Sequence, residues 1–523
     1  MIWKASMNTH ATQWQLVIPM SGFGERFRKA GYTVPKPLIR VNGKTIIEYV
    51  VNMYPGITDV VFICNQEHLD APEFCLLETL KAICPSARIV GIAPHKLGPV
   101  YAVSQIYDLL RQNAPTIVNY CDFSCSWDWN AFRKFAVETN CDGAVMCYTD
   151  FHPHMLHNTN YAYVRVEEKN HVVQIQEKQP FTNSPMQENA SSGAYYFRSA
   201  HLMREAFEET LAREDLLLNG EFYVSLAFRP LLEKGKDIRV FTLDKFYQWG
   251  TPEDLREYES HIHYKKVEAE SPPPPEQAGT ILIPMAGLGS RFAKEGYILP
   301  KQLIPINGRA MALKAWEALP RAKENRFVLR KDMPGLNAFM EVLHKEIPSA
   351  QIILLDGITD GQARTCLLGL EGVDMDAPLT IGACDNGLVY DPTTFSRLML
   401  NPAIDFIVWT IRGYPGAIRH PEMYGWVAVD QKGVITRVSV KKPLTDPNND
   451  PIVTGAFTFK KAGDFVNAAN RMIAHNSMIN DEFYVDECIN DALQLGLRGV
   501  IFEVDAYLCW GTPDDLRTYQ YWR

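Results

Sequence analysis

The chain has no CxxC pair, no run of eighteen apolar residues and no surplus of basic side chains. Its eleven cysteines are scattered, with Cys121 and Cys125 the nearest two. Without ligand-like spacing they read as free thiols of a reducing compartment, not as a zinc site or a disulfide framework. The missing apolar run argues against a membrane span. The opening stretch, MIWKASMNTHATQWQ, lacks the apolar core of a secretory leader, so a cytoplasmic chain is expected. Lys+Arg 52 against Asp+Glu 61 gives 52 − 61 = −9. That balance provides no basic face for duplex nucleic acid.

What the sequence does contain is itself, twice. At 523 residues it predicts two or more folding units. Residues 16–39, LVIPMSGFGERFRKAGYTVPKPLI, return at 281–304 as ILIPMAGLGSRFAKEGYILPKQLI. Pro19, Gly22, Gly24, Arg26, Phe27, Gly31, Tyr32, Pro35 and Lys36 all recur 265 positions later. Cys121-Asp122 returns as Cys384-Asp385, Glu221-Phe222-Tyr223-Val224 as Glu482-Phe483-Tyr484-Val485, and Trp249-Gly250-Thr251-Pro252 as Trp510-Gly511-Thr512-Pro513. A unit this long is a duplicated domain, not a solenoid repeat. Residues 265–279, KKVEAESPPPPEQAG, read as a proline-rich spacer between domains 1–264 and 280–523. Two like domains on a short spacer are expected to pack as an internal pseudo-dimer.

Each copy alternates short apolar strands (LVI at 16–18, VFIC at 60–63, TIVN at 116–119) with helical patterns at 45–53 and 100–112. The prediction is an α/β domain with a mostly parallel, Rossmann-like sheet covered by helices. A smaller antiparallel region follows, beginning with a hairpin over 161–177 that turns at Glu168-Lys169-Asn170 and lids one side of a cleft.

Gly22-Phe23-Gly24-Glu25-Arg26 follows the first strand. Glycines there let backbone N–H groups approach a phosphate. Phe27 stands where a dinucleotide fingerprint needs its third small residue, and no acidic residue follows after a second strand. Asn42-Gly43-Lys44-Thr45 imitates the end of a P-loop, but Leu38 occupies its first glycine position. What remains is GxGxR, then a lysine preceded by proline: Arg26 and Lys36, repeated as Arg291 and Lys301. Two cations beside a phosphate nest suit a triphosphate, whose leaving pyrophosphate gathers charge. The competing reading is solvated surface charge, which retention in a diverged second copy disfavours. Asp122 and Asp385 end apolar strands and suit Mg²⁺, which takes few carboxylates plus phosphate oxygens; a turn or helix-capping aspartate is the alternative.

Each copy resembles the sugar nucleotidyltransferases, closest to the short glucose-1-phosphate thymidylyltransferase-like members of surface-polysaccharide pathways. The likeness spans nearly all of both copies: PMSGFGERF…PK and PMAGLGSRF…PK, LGPVYAV and TDGQARTC, the strand-end aspartates, IQEKQP and SVKKP, SSGAYYF and VTGAFTF, EFYV, and WGTPEDL or WGTPDDL. It implies transfer of a nucleotidyl group from a nucleoside triphosphate to a sugar 1-phosphate or similar phosphomonoester, with Mg²⁺ as cofactor and without nucleic-acid or membrane partners. By the same resemblance Arg26, Lys36, Arg291 and Lys301 are catalytic, and Asp122 and Asp385 hold the metal. Ser21, Gly22, Gly24 and Gly98, with Ala286, Gly287, Gly289 and Gly361, bind nucleotide. Glu177, Lys178 and Gly193, with Lys441 and Gly455, bind the acceptor. Gln248 and Cys509 stand where the family often carries a second metal aspartate, and Asp244 and Asp505 lie four residues too early. A catalytically weak, nucleotide-binding regulatory or scaffold protein is the alternative function. A glycosyltransferase is disfavoured, because the strand ends read Cys-Asp-Phe and Cys-Asp-Asn in place of Asp-x-Asp.

Overall fold

The computed structural model describes residues 13–523; the N-terminal stretch up to residue 12, on which part of the leader argument rests, lies outside the described residues. The chain divides into two compact units, one ending at Glu259 and the other running from Ser260 to Arg523. The division falls inside a helix, Pro252–Ala269, so the segment 265–279 begins as helix. Its later part is tied to the second unit: Arg321 donates its amide to Pro275 O at 2.8 Å and accepts from the Gln277 amide at 2.7 Å.

The first unit holds a nine-stranded mixed sheet. In chain order its strands are β1 (Gln15–Met20), β2 (Asp59–Asn65), β3 (Arg88–Ile92), β4 (Thr116–Asn119), β5 (Gly143–Tyr148), β6 (Ala162–Val166), β7 (Val172–Glu177), β8 (Asn189–Phe197) and β9 (Ile238–Thr242). They pair as β3-β2-β1-β4-β8-β5-β9, with the β6–β7 hairpin joined to β8. Strands β3, β2, β1 and β4 run parallel, whereas β8 is antiparallel to β4, β5 and β6.

The second unit repeats this arrangement with β10 (Thr280–Pro284), β11 (Glu324–Arg330), β12 (Ala350–Leu355), β13 (Leu379–Ile381), β14 (Phe406–Ile411), β15 (Gly425–Val429), β16 (Ile435–Val440), β17 (Ile452–Phe459) and β18 (Gly499–Glu503). Its order is β12-β11-β10-β13-β17-β14-β18, with the β15–β16 hairpin joined to β17. The expected fold class is thus the observed one, in both halves.

The apolar runs follow from burial on both faces. In β1, Leu16 and Ile18 enter one core with Val60 and Phe62, while Val17 enters another with Val61 and Ile63. In the second unit Ile281 and Ile283 lie in one core and Leu282 in the other. The helix expected over 45–53 runs Ile46–Asn52, with Thr45 Oγ1 capping it by accepting from the Glu48 amide. The helix expected over 100–112 is shorter. It runs Pro99–Ser104, breaks where Ile106 takes φ −130, and continues as a 3-10 turn over Tyr107–Leu109. Val100, Val103, Ile106, Tyr107 and Leu110 are all buried, so the periodicity marked a face, not one unbroken helix. All eleven cysteines are free. Among the described residues no helix is long and apolar enough to cross a membrane.

The topology fixes where a ligand fits. Strand β1 has β2 on one side and β4 on the other, so chain order reverses between β1 and β4. Open α/β sheets bind ligands at such a reversal, beyond the carboxyl ends of the strands. There β1 runs into Ser21–Gly24 and β4 into Tyr120–Asp122.

Candidate active site

A cleft of about 590 Å³ opens at that reversal in the first unit. Ser21, Gly22, Gly24, Arg26, Lys36, Gly98, Asp122 and Gln248 line it, so the strand ends bring most of the sequence-predicted residues of this copy together. Gly24 adopts φ 63 and caps the short helix Glu25–Lys29. A side chain at Gly22 would meet nothing within 4 Å. Packing therefore does not demand that glycine; an open backbone facing the cleft leaves its N–H to a ligand. Phe27 is buried against the edge of Tyr32, with ring centroids 5.1 Å apart, and anchors the loop while Arg26 stays exposed. In the second unit Gly289 has φ 62, Phe292 is buried against Tyr297 at 5.0 Å, and a side chain at Gly287 would again meet nothing.

Lys36 lies on the cleft floor between two oxygens. Its Nζ donates to Asp122 Oδ2 at 2.8 Å and to Gly250 O at 3.2 Å. The Trp249 amide in turn donates to Asp122 O at 3.0 Å. The distant WGTP motif thereby positions both the lysine and the aspartate. Trp249 is fully buried, and Thr251 begins the next helix by exchanging hydrogen bonds with Asp254. The second unit is built alike: Lys301 Nζ to Asp385 Oδ2 at 2.5 Å and to Gly511 O at 3.0 Å, with the Trp510 amide on Asp385 O at 2.8 Å. Burial works against the charge on Lys301, but neighbouring Asp385 and Cys384 outweigh it and raise its pKa.

The residues expected on the acceptor side stand at the end of the β6–β7 hairpin, with Glu177 and Lys178, and on β8, with Gly193. Lys178 follows β7 with φ 60, a conformation uncommon for a residue with a side chain. Its Nζ donates to Tyr223 Oη at 2.5 Å, and Tyr223 donates to the Glu221 carboxylate. Tyr223 and Glu221 line the same cleft as Arg26. In the second unit Lys441 has φ 57, its Nζ donates to Tyr484 Oη at 2.6 Å, and Tyr484 bonds Glu482. The EFYV motif thus carries a tyrosine and a glutamate that hold the lysine. Sequence reasoning noted the motif but gave it no role; its identical recurrence was the available signal.

The glycines have local causes. Gly98 (φ 86) lies so close to the EFYV loop that a Cβ would sit 2.8 Å from both Phe222 N and Phe222 O. Phe222 donates to Leu97 O at 2.9 Å, which docks that loop beside the cleft. Gly361 (φ 139) meets Phe483 in the same way. Gly193 (φ 95) interrupts the β8–β5 register and lets the Tyr120 ring approach, where a Cβ would be 2.9 Å from Cδ2. Gly455 (φ 82) faces Ala383 instead. Glu177 accepts from Ser225 Oγ at 2.5 Å, and burial lifts its carboxyl to about 7.

The cleft wall beside Ser21 also differs between copies. Ser21 Oγ lies 3.2 Å from His95 Nε2, and His95 Nδ1 accepts from the Leu97 amide at 3.2 Å. That acceptance puts the imidazole proton on Nε2, facing Ser21. Burial pushes the His95 pKa down. Ala286 and Ile358 hold the corresponding positions in the second copy.

Among the described residues no three His, Cys, Asp or Glu side chains are grouped to hold a metal ion. The donor set fits a hard cation carried mainly on phosphate oxygens, with Asp122 as its carboxylate and Gln248 as a neutral oxygen on the same cleft. Asp244 sits at the far end of the strand Lys245–Gln248, its amide on Ser126 O, and Asp505 likewise bonds Val389 O. Cys509 is a poor substitute, since a soft sulfur ligand does not suit a hard cation.

Solved structures align with about half of this chain. The nucleoside-diphosphate-sugar pyrophosphorylase from Vibrio cholerae RC9 aligns at 22% identity over 46% of this chain and 98% of its own, with a TM-score of 0.38. A UDP-glucose pyrophosphorylase complexed with UDP-glucose aligns at 20% over 48% and 98%, TM-score 0.39. The inositol-1-phosphate CTP transferase from T. maritima aligns at 16% over 47% and 91%, TM-score 0.37. Residues 16–263, which carry the cleft just described, match the family model of the nucleotidyl transferases.

Proposed function

We propose that this chain is a nucleotidyltransferase that joins a nucleoside triphosphate to a sugar 1-phosphate or similar phosphomonoester and releases pyrophosphate. Its product would serve as a precursor for surface polysaccharide, made in the reducing compartment that eleven free thiols suit. The observation that carries the reading is the floor of the site. A lysine held between a strand-end aspartate and a glycine carbonyl, under a glycine loop with an exposed arginine, is built twice from the same residues.

In this reading an acceptor phosphate oxygen attacks the α-phosphorus in line. The bond from that phosphorus to the bridging oxygen breaks, and pyrophosphate leaves with the electron pair. The acceptor is already an anion at neutral pH, so no general base is needed, and catalysis is positioning plus charge stabilisation. The amides of Ser21–Gly24 and the Arg26 guanidinium bind the triphosphate. Lys36, fixed at its far oxygens, neutralises charge at the reacting phosphate. Lys178, aimed by Tyr223 and Glu221, grips the acceptor phosphate. Arg291, Lys301 and Lys441 do the same in the second unit. Asp122 or Asp385, with the phosphate oxygens, would hold Mg²⁺, which when bound would supply Lewis-acid neutralisation of the triphosphate.

The test is pyrophosphate release from four nucleoside triphosphates against a phosphomonoester library. We expect at least one triphosphate–acceptor combination to turn over and excess chelator to abolish it. Nucleotide binding without release under any combination would instead favour a regulatory nucleotide-binding protein, the reading that the single metal carboxylate of each unit favours.

A further inference from the structure

The two acceptor walls differ at three positions that touch one another. In the first unit Ala162 lies opposite Glu177 across the β6–β7 ladder, and Ser225 donates to the Glu177 carboxylate. The equivalent three residues of the second unit are Gly425, opposite Val440 across β15–β16, and Asp486. The strand has lost its carboxylate and the loop has gained one. Gly425 makes the room. A Cβ there would stand 2.1 Å from Asp486 Oδ2, so the alanine of the first unit would force the Asp486 carboxylate out of its place. Random decay would remove the carboxylate; here it is moved, and its new seat is cleared.

The surroundings argue for a purpose. Around Glu177 the first unit provides hydroxyls: Ser225, and Tyr195, which accepts from Ser191 Oγ at 3.0 Å. The second unit has Phe457 and Val453 where Tyr195 and Ser191 stood. Asp486 therefore persists in a wall that has otherwise turned apolar, where burial raises its carboxyl to about 6 and Lys441 pulls the other way. Keeping a carboxylate in such a place costs free energy that packing alone does not return.

From this geometry we infer that Asp486 is the hydroxyl-recognising carboxylate of the second unit's acceptor pocket. It stands in for Glu177 and reaches the bound phosphomonoester from the helix Val485–Gln494 instead of from the hairpin. The inference rests on the acceptor reading of the Lys178 and Lys441 walls. Because the carboxylate comes from another direction, it contacts a different hydroxyl, and the two units select different sugar phosphates.

The test is calorimetric binding of a panel of aldohexose 1-phosphates and their monodeoxy analogues to the full chain, with pyrophosphate release measured in parallel. Glu177→Gln is expected to weaken one binding event and Asp486→Asn the other, each by about tenfold to a hundredfold, the range for a hydrogen bond to a charged group. One monodeoxy analogue should be indifferent to Asp486→Asn, because the hydroxyl it lacks is the one recognised. The double change Val440→Glu with Asp486→Ser should restore binding with the first unit's ranking. Two unaltered binding events in Asp486→Asn would overturn the proposal, and so would a wild type that binds no member of the panel. Binding that follows these expectations without any pyrophosphate release sinks nucleotidyl transfer and leaves the carboxylate assignment standing.

Discussion

Glu177 keeps its proton to higher pH than an ordinary glutamate. Burial lifts its carboxyl from 4.5 to about 7, with Ser225 and Lys178 opposing the shift and Glu221 adding to it. A folded-state acid with a raised pKa holds more protons than the unfolded chain between those two values, so stability falls as pH rises through that window. The penalty is complete above about pH 7 and absent below about pH 4.5. Glu177→Gln is therefore expected to be as stable as wild type near pH 5 and more stable at pH 8, by on the order of 2 kcal/mol. Thermal melts at the two pH values check this, and equal differences at both would refute it. Arg26 presents the opposite case, since it is exposed and serves no core. Arg26→Ala with Arg291→Ala should leave the melting temperature unchanged and lower pyrophosphate release about a hundredfold, the effect of removing one transition-state charge contact. Unchanged release would remove the arginines from the phosphate site.

At the scale of elements, Gly98 and Gly361 hold the cleft wall together. Both take φ in the left-handed range, and both leave space that the EFYV loop fills. Gly98→Ala or Gly361→Ala should push that loop away at a cost of about 1–3 kcal/mol. The Phe222 amide, bonded to Leu97 O, and the Phe483 amide, bonded to Asp360 O, should then lose protection from hydrogen exchange. Retained protection would show that the contact is dispensable. Much of the element order was legible beforehand. Leu16, Ile117 and Phe62 sit in continuous apolar runs because both faces of a parallel sheet are covered, and the hairpin turned at residues 168–170 as composition suggested. Other features were not legible. The break at Ile106 leaves the buried face intact, so periodicity cannot reveal it. The lysine–tyrosine–glutamate chain joins residues 45 positions apart in the first unit, and only the folded hairpin brings them together. The link between Val440 and Asp486 is likewise hidden in the sequence, because the two residues lie in different motifs and meet only through Gly425.

At the scale of the whole molecule the question is why a chain keeps two such units. Both keep the set proposed to hold the triphosphate: the glycine loop, the arginine, and a lysine pinned between aspartate and a glycine carbonyl. They diverge where a base or an acceptor would lie. Ser21 and His95 become Ala286 and Ile358, Tyr120 becomes Ala383, and Glu177 becomes Val440 with Asp486. Tyr120 matters here by bulk as well as chemistry. Its ring fills the space against Gly193, and its hydroxyl accepts from the Val224 amide at 3.2 Å, whereas Gly455 has the smaller Ala383 and the Asn386 amide beside it. A unit decaying toward a mere support would not be expected to keep this lysine–aspartate floor while changing the residues around it. The proposal at this scale is divided labour: one donor chemistry, two acceptors. Lys36→Ala and Lys301→Ala silence the units one at a time, since each removes the cation of a single floor. Each survivor, profiled on the same acceptor panel, should retain one part of the wild-type product range, and the two parts should differ in their preferred acceptor by about tenfold or more, the discrimination available to a site that bonds a particular hydroxyl. Identical rankings at similar rates would make the duplication one of dosage. If one variant is wild-type in every respect while the other is dead, the silent unit is a structural partner, and the altered residues around Val440 and Asp486 reflect drift.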